Sequence, residues 1–303
     1  MHEAMHIAQP QGSWLTEPLD TGFSYSIRST RLLSKFRSLY QDIEVHESES
    51  FGRLLLLDGS FMASERDEFF YHENLVHVAA CTHDLPATAL IVGGGDGGAA
   101  EELLKHKSIQ SITLVEIDEA VLDVARKYFR AIHHGVIDIQ GGDPKLHIEV
   151  ADGLEYVRNS TDEYDLIILD LTDPGGPSQP LYTADFYVKC AARLKSGGIL
   201  SLHIASPFAQ QDRVINTLKD MKKAFNVVRP YLVSVPLSGG SWMMACASDS
   251  VDPHMLSAED ADARLASRGV TGLQYYNGRT HQAVMALPNY IRAAISSTGA
   301  RTD

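Results

Sequence analysis

Apolar and polar residues alternate in short runs over the N-terminal part of the chain. After Pro86 the pattern changes to longer apolar runs separated by amphipathic stretches. Residues 23–27, 42–46 and 53–57 are half-alternating and rich in β-formers, with turn signals at Phe51-Gly52 and Asp58-Gly59. They predict a small antiparallel β-domain. A helix is expected from about Arg66 to Cys81, with Phe69, Phe70, Leu75, Val76 and Val78 on its apolar positions. Beyond it the order reads strand 90–92, helix 99–105, strand 112–117, helix 119–129, strands 146–150 and 164–170, helix 184–194 and strand 198–204. Such alternation implies an α/β fold, a mostly parallel sheet with helices on both faces. A helix at 211–225, strands at 227–235 and 242–247, and a helix at 258–267 with Ser257 as N-cap complete the pattern. We therefore expect a flexible tail over 1–15, a β-domain and linking helix over 16–80, and a Rossmann-like domain over 81–303.

The loop of Gly93, Gly94, Gly95, Asp96, Gly97 and Gly98 follows the first strand of that sheet and opens its first helix. Gly93, Gly95 and Gly98 match G-x-G-x-x-G, the turn at which a nucleotide docks. A pyrophosphate there needs bare N–H groups and a positive helix end, and a carboxylate in the loop repels it. Asp96 instead favours a cationic ligand.

Four strands end in or beside an acid, Asp96, Glu116, Asp152 and Asp170. Ligands in such sheets lie beyond the carboxyl ends of the strands, so these acids are expected to converge on one crevice. Glu116, eighteen residues after Gly98, is placed to accept both hydroxyls of a ribose; an exposed strand-end carboxylate is the plain alternative. Asp152-Gly153 reads both as a helix N-cap and as an adenine contact. Asp170 and Asp173 precede a stiff Pro/Gly segment, and two carboxylates held side by side there call for a cation between them, such as an amine. The plain alternative is one turn-forming Asp and one helix cap.

Charge narrows the partners. Lys plus Arg number 26 against 39 Asp plus Glu, a net −13, which lacks the basic footprint of a nucleic-acid binder. Cys81, Cys190 and Cys246 are too few and too scattered for a disulfide framework, and no apolar run approaches the roughly 20 residues of a membrane span. A cytoplasmic protein is expected. His2-Glu3-Ala4-Met5-His6 fits H-E-x-x-H but has no apolar helix face around it and no third ligand, so no metal site is predicted.

Taken together, Tyr40-Gln41-Asp42-Ile43, Leu57-Asp58-Gly59, the stretch 65–73, the glycine loop, Val115-Glu116-Ile117-Asp118, the stretch 170–177, Tyr275-Tyr276-Asn277 and His281 make the chain resemble the spermidine synthase family of polyamine aminopropyltransferases. The resemblance spans nearly everything beyond residue 20. It implies a small N-terminal β-domain before a Rossmann-like, methyltransferase-type catalytic domain, assembled as homodimers or homotetramers. It also implies transfer of an aminopropyl group from decarboxylated S-adenosylmethionine, a co-substrate rather than a cofactor, to a diamine such as putrescine. By the same resemblance Gln41, Glu116, Asp152, Gly153 and Pro177 contact the adenosyl and sulfur part, and Tyr71, His72, Asp96, Asp170 and Asp173 contact the amines.

Gln179, His203 and Ser238 depart from the family pattern at positions expected near the acceptor, which leaves cadaverine, agmatine and spermidine beside putrescine. In this reading Asp96 attracts the ammonium of the decarboxylated donor and repels the carboxylate of ordinary S-adenosylmethionine. Asp170 is the general base, and Asp173 orients the attacking nitrogen. The rivals are a methyltransferase, disfavoured because it has no need of the Asp170 and Asp173 pair, and a non-catalytic polyamine-binding protein.

Overall fold

The computed structural model describes residues 12–174 and 176–302. Two antiparallel sheets come first. β1 (Ser13–Pro18) pairs with β2 (Ser24–Ser29), and β3 (Arg31–Arg37), β4 (Asp42–Ser48), β5 (Gly52–Leu57) and β6 (Ser60–Ser64) form a meander in that order. Residues 13–15, expected in the tail, therefore lie in a strand, where the ladder to residues 27–29 gives their backbone the partners that a free tail lacks. The His2 and His6 motif lies outside the described residues.

Period-2 alternation sets the register of the meander. Ile43, Val45, Leu55 and Leu57 turn to one face, while Leu54 and Leu56 join the main core on the other. α1 (Glu68–Thr82) leads out of the meander and is buried along most of its length. Its Glu73, 1% exposed, accepts the backbone N–H groups of Gln274, Tyr275 and Tyr276 and so pins the C-terminal segment to the helix.

The main sheet has seven strands: β7 (Thr88–Gly93), β8 (Ser111–Glu116), β9 (Leu146–Val150), β10 (Tyr164–Asp170), β11 (Leu194–Ala205), β12 (Val227–Val235) and β13 (Gly240–Ser248). Their order is β12-β13-β11-β10-β7-β8-β9, parallel except for β13, which runs antiparallel to both neighbours. Both faces are dry. Along β10, Leu166 and Ile168 pack into the core that holds α1 and α2 (Gly98–Leu104), whereas Ile167 and Leu169 face the opposite core. That opposite core holds Phe186, Tyr187, Val214 and Leu218. α3 (Glu119–Tyr128), the short α4 (Arg130–His133) and α5 (Gly153–Asn159) follow β8 and β9. Val121, Val124, Phe129 and Ile132 from the α3 and α4 region meet the meander's inward face and join the two parts of the chain.

From β7 the chain builds outward through β8 and β9, then returns to lay β10 against the other edge of β7. That reversal opens a crevice at the carboxyl ends of β7 and β10. The amide of Gly94 donates to the carbonyl of Asp170 at 2.8 Å and ties the two strand ends together. No helix among the described residues is long and apolar enough to cross a membrane.

Candidate active site

A cleft opens at this switch point and is closed on its far side by the N-terminal sheets. Gln41, Tyr71, His72, Gly93, Gly94, Gly95, Asp96, Glu116, Asp152, Gly153, Asp170, Asp173 and Pro177 all line it. Gly97 and Gly98 stand behind the lining and shape the loop. Gly93 has φ +81°, and a Cβ on it would fall 2.2 Å from the carbonyl oxygen of Asp170; a Cβ on Gly98 would fall 2.3 Å from the His72 ring. Only glycine lets the loop and these two neighbours approach so closely.

The charged groups form a chain. Glu68 Oε2 lies 2.8 Å from Nδ1 of His72, whose Nε2 lies 3.4 Å from Asp96 Oδ2. The other oxygen of Asp96 accepts the Gly98 amide at 2.9 Å. Burial opposes a charge on His72, but Asp96 and Glu68 outweigh it and raise its pKa well above the ordinary imidazole value. Burial likewise opposes a charge on Asp96, and the charge and hydrogen bond of His72 overcome it, leaving Asp96 below the usual carboxylate range. His72 is an imidazolium between two carboxylates.

Asp170 sits at the end of β10 beside this chain. Burial first, then the neighbouring Asp96 charge, pushes its pKa up to about 6, against the pull of His72 and of the Tyr71 hydroxyl. Tyr71 donates to Asp170 Oδ1 at 2.9 Å, while Oδ2 is buried with no hydrogen-bond partner among the described residues. A buried carboxylate oxygen without a donor is costly, and it marks where a ligand N–H belongs.

The structure corrects the pairing of acids. Asp173 already carries its own cation, with Arg213 Nη1 at 2.8 Å from its Oδ2. The carboxylate whose charge bears on Asp170 is Asp96 rather than Asp173. The sequence placed Asp170 and Asp173 side by side from their spacing, but the strand ends at Asp170, and Asp173 turns toward a helix 40 residues on.

At the other end of the cleft Glu116 is 8% exposed, and burial pushes its pKa up to about 7. One of its oxygens accepts the Asp118 amide at 2.9 Å. Asp118 in turn receives Ser38 Oγ at 2.6 Å and Gln41 Nε2 at 2.9 Å, so hydrogen bonds tie the meander to the main sheet at this wall. Asp152 both caps α5, through Leu154 N at 2.8 Å, and lines the cleft.

Of the three departures from the family pattern, His203 and Ser238 line the cleft, but Gln179 is exposed and outside it. Burial lowers the His203 pKa, leaving the ring neutral, and its nitrogens lie within 2.7 Å of Leu171 O, 3.1 Å of Tyr182 Oη and 3.3 Å of Trp242 Nε1. Sequence reasoning missed Glu17, Tyr25, Phe61 and Trp242, which also line this end. Glu17 is 8% exposed, and its Oε2 accepts from Tyr25 Oη and Phe61 N. Residues 13–18 show no clear alternation, so nothing local signalled it.

The family described as Spermine/spermidine synthase domain matches residues 68–255, and the one described as Spermidine synthase tetramerisation domain matches 13–65. The chain belongs to the spermine/spermidine synthase family. A polyamine aminopropyltransferase of Nitrosomonas europaea is 45% identical over 280 residues, 92% of this chain and 85% of that protein. A crystal structure of spermidine synthase in complex with the transition-state analogue AdoDATO superposes with a TM-score of 0.86 at 34% identity, covering 95% of this chain and 98% of that one. Spermidine synthase from Thermotoga maritima gives 0.83 at 33%, over 95% and 96%. These relatives fix the architecture of this family member as a methyltransferase-like sheet behind an N-terminal β-domain, and its class as a transferase.

Proposed function

We propose that this family member transfers the aminopropyl group of decarboxylated S-adenosylmethionine to a diamine, putrescine first, giving spermidine and 5′-methylthioadenosine. One observation carries the reading: the buried Oδ2 of Asp170, without a donor among the described residues, lies in the cleft beside Asp96. In this assignment Glu116 holds the ribose hydroxyls, and Asp152, Gly153 and Pro177 bound the adenine and sulfur pocket with Gln41. Asp96 faces the donor's ammonium. Asp170 Oδ2 takes a proton from the acceptor's ammonium, the freed nitrogen lone pair attacks the carbon next to the sulfonium, and the C–S bond breaks with its electrons returning to sulfur.

A base with pKa about 6 is mostly ionised at pH 7 and so is free to take the proton that the ammonium must lose before its nitrogen can attack. Tyr71 fixes the carboxylate through Oδ1, leaving Oδ2 for the proton. Asp173, paired with Arg213, orients the acceptor and not the charge of the base.

The proposed reaction uses no metal or organic cofactor. His72, Asp96 and Asp170 place ligand-type atoms within 4.8 Å of one another. An imidazolium engaged by carboxylates on both nitrogens has no lone pair for a metal. The protein is proposed to work as a homo-oligomer in the cytoplasm.

The test is incubation with the decarboxylated donor and a panel of putrescine, cadaverine, agmatine and spermidine, scored by product mass. Gain of one aminopropyl group on putrescine above the others is expected. A methyl gain, or no product from any amine, overturns the reading.

A further inference from the structure

Deep sites that hold two carboxylates together need a positive charge nearby, because like charges in a dry pocket otherwise keep one of them protonated. Here that charge is on His72, whose contact to Asp96 is a long one, 3.4 Å. The short contact is on the other nitrogen, 2.8 Å to Glu68, one helical turn earlier on α1. Glu68 lines the cleft wall, its side chain only 11% exposed. The His72 ring packs against Gly98, where any Cβ would fall 2.3 Å from it.

We propose that Glu68 is a positioning residue for the aminopropyl transfer, holding the His72 ring charged and aimed at Asp96 so that Asp96 and Asp170 stay ionised together. This rests on the activity proposed above. Glu68 touches neither reacting atom; it acts through His72. The groups that set the charge on His72 are Glu68 and Asp67 from the start of α1, Asp96 from the glycine loop and Asp170 from the end of β10. Tyr71 packs edge-on against the ring at 5.2 Å. Asp67 is itself held by Ser64 and by the Leu237 amide, so Glu68 is the one of these acids whose short contact is made to His72.

The test compares Glu68→Gln with the unaltered protein by NMR titration of His72 and by steady-state rates from pH 6.5 to 9.5. Glu68→Gln is expected to lower the His72 pKa by about one unit or more, a tenfold shift in its protonation equilibrium. Accordingly the alkaline fall of kcat moves to lower pH, approaching about a tenfold loss above both His72 midpoints and recovering toward the unaltered value below them, where the ring is again protonated. Glu68→Asp, which keeps the charge, is expected to lie between the two, and it carries the test should Glu68→Gln not fold. In a His72→Gln background Glu68→Gln is expected to add no further loss.

An unchanged His72 titration, a loss of the same size at every pH, or additive losses in the double variant would each overturn the proposal. If the unaltered protein transfers nothing to any amine, the proposed activity fails, while the His72 titration still decides whether Glu68 sets its charge.

Discussion

At the scale of residues, the cleft is a problem in placing negative charge where water is scarce. Asp96 and Asp170 are neighbours in a buried wall, and each is held by a different device, the first by an imidazolium and a helix-start amide, the second by a tyrosine hydroxyl. Burial and the Asp96 charge lift Asp170 toward neutrality, and this is what makes it useful as a base. Its raised pKa gives the sign of the pH effect: the carboxylate is lost as pH falls through about 6, so kcat/KM is expected to drop on the acid side with a limb near 6. Asp170→Asn keeps the shape of the site and removes the proton acceptor. It is expected to retain donor binding, measured by calorimetry, while turnover falls by about two to four orders of magnitude. Near-normal turnover in that variant would take the base role away from Asp170.

At the scale of elements, the glycine loop and α1 decide what the residues can reach. α2 starts at Gly98, whose backbone passes under the His72 ring, and the ring's Cε1 and Nδ1 would lie 2.3 and 2.4 Å from a methyl placed there. Gly98→Ala is therefore expected to displace the ring from between Glu68 and Asp96, at a stability cost of about 1–3 kcal/mol for the overpacked contact. Circular dichroism should show an intact fold with a lower Tm, and kcat should fall more than a neutral cavity change would cause. An unchanged Tm would mean that His72 yields without cost.

The loop's pattern was plain in the sequence because its spacing is local, as were β7, β8 and β10, whose apolar runs are buried on both faces. β1, β3 and β6 were not read. β3 shows little burial along its length, and its Leu32 and Phe36 stay 50% and 40% exposed, so no alternation betrays it. Such strands exist because a neighbour offers a ladder, and that is a property of the pair.

At the scale of the whole molecule, the N-terminal part closes the cleft and also carries exposed apolar side chains, Trp14 at 67% in β1 and Leu39 at 96% in the turn between β3 and β4. Large apolar side chains left in water beside strand edges are candidates for a cover. With the proposed oligomer as that cover, light scattering of the purified protein at micromolar concentration should report more than one copy per particle. Leu39→Asp combined with Trp14→Ser should shift it toward the monomer, and a monomeric unaltered protein would contradict the assembly.

The sequence by itself determined the α/β class, the order of nearly all strands and helices of the main sheet, and the convergence of acids at its carboxyl edge. Those follow from periodicity and from one topological rule, both of which act over short stretches of chain. It did not determine which acids pair. Asp173 lies three residues from Asp170 yet turns to Arg213, while Asp96 comes from a different strand and shares the His72 charge. Glu17, from the first strand, reaches the same cleft across the fold. Charge partners and their pKa values depend on distance and burial in three dimensions, and both quantities exist only once the sheet has brought remote segments together.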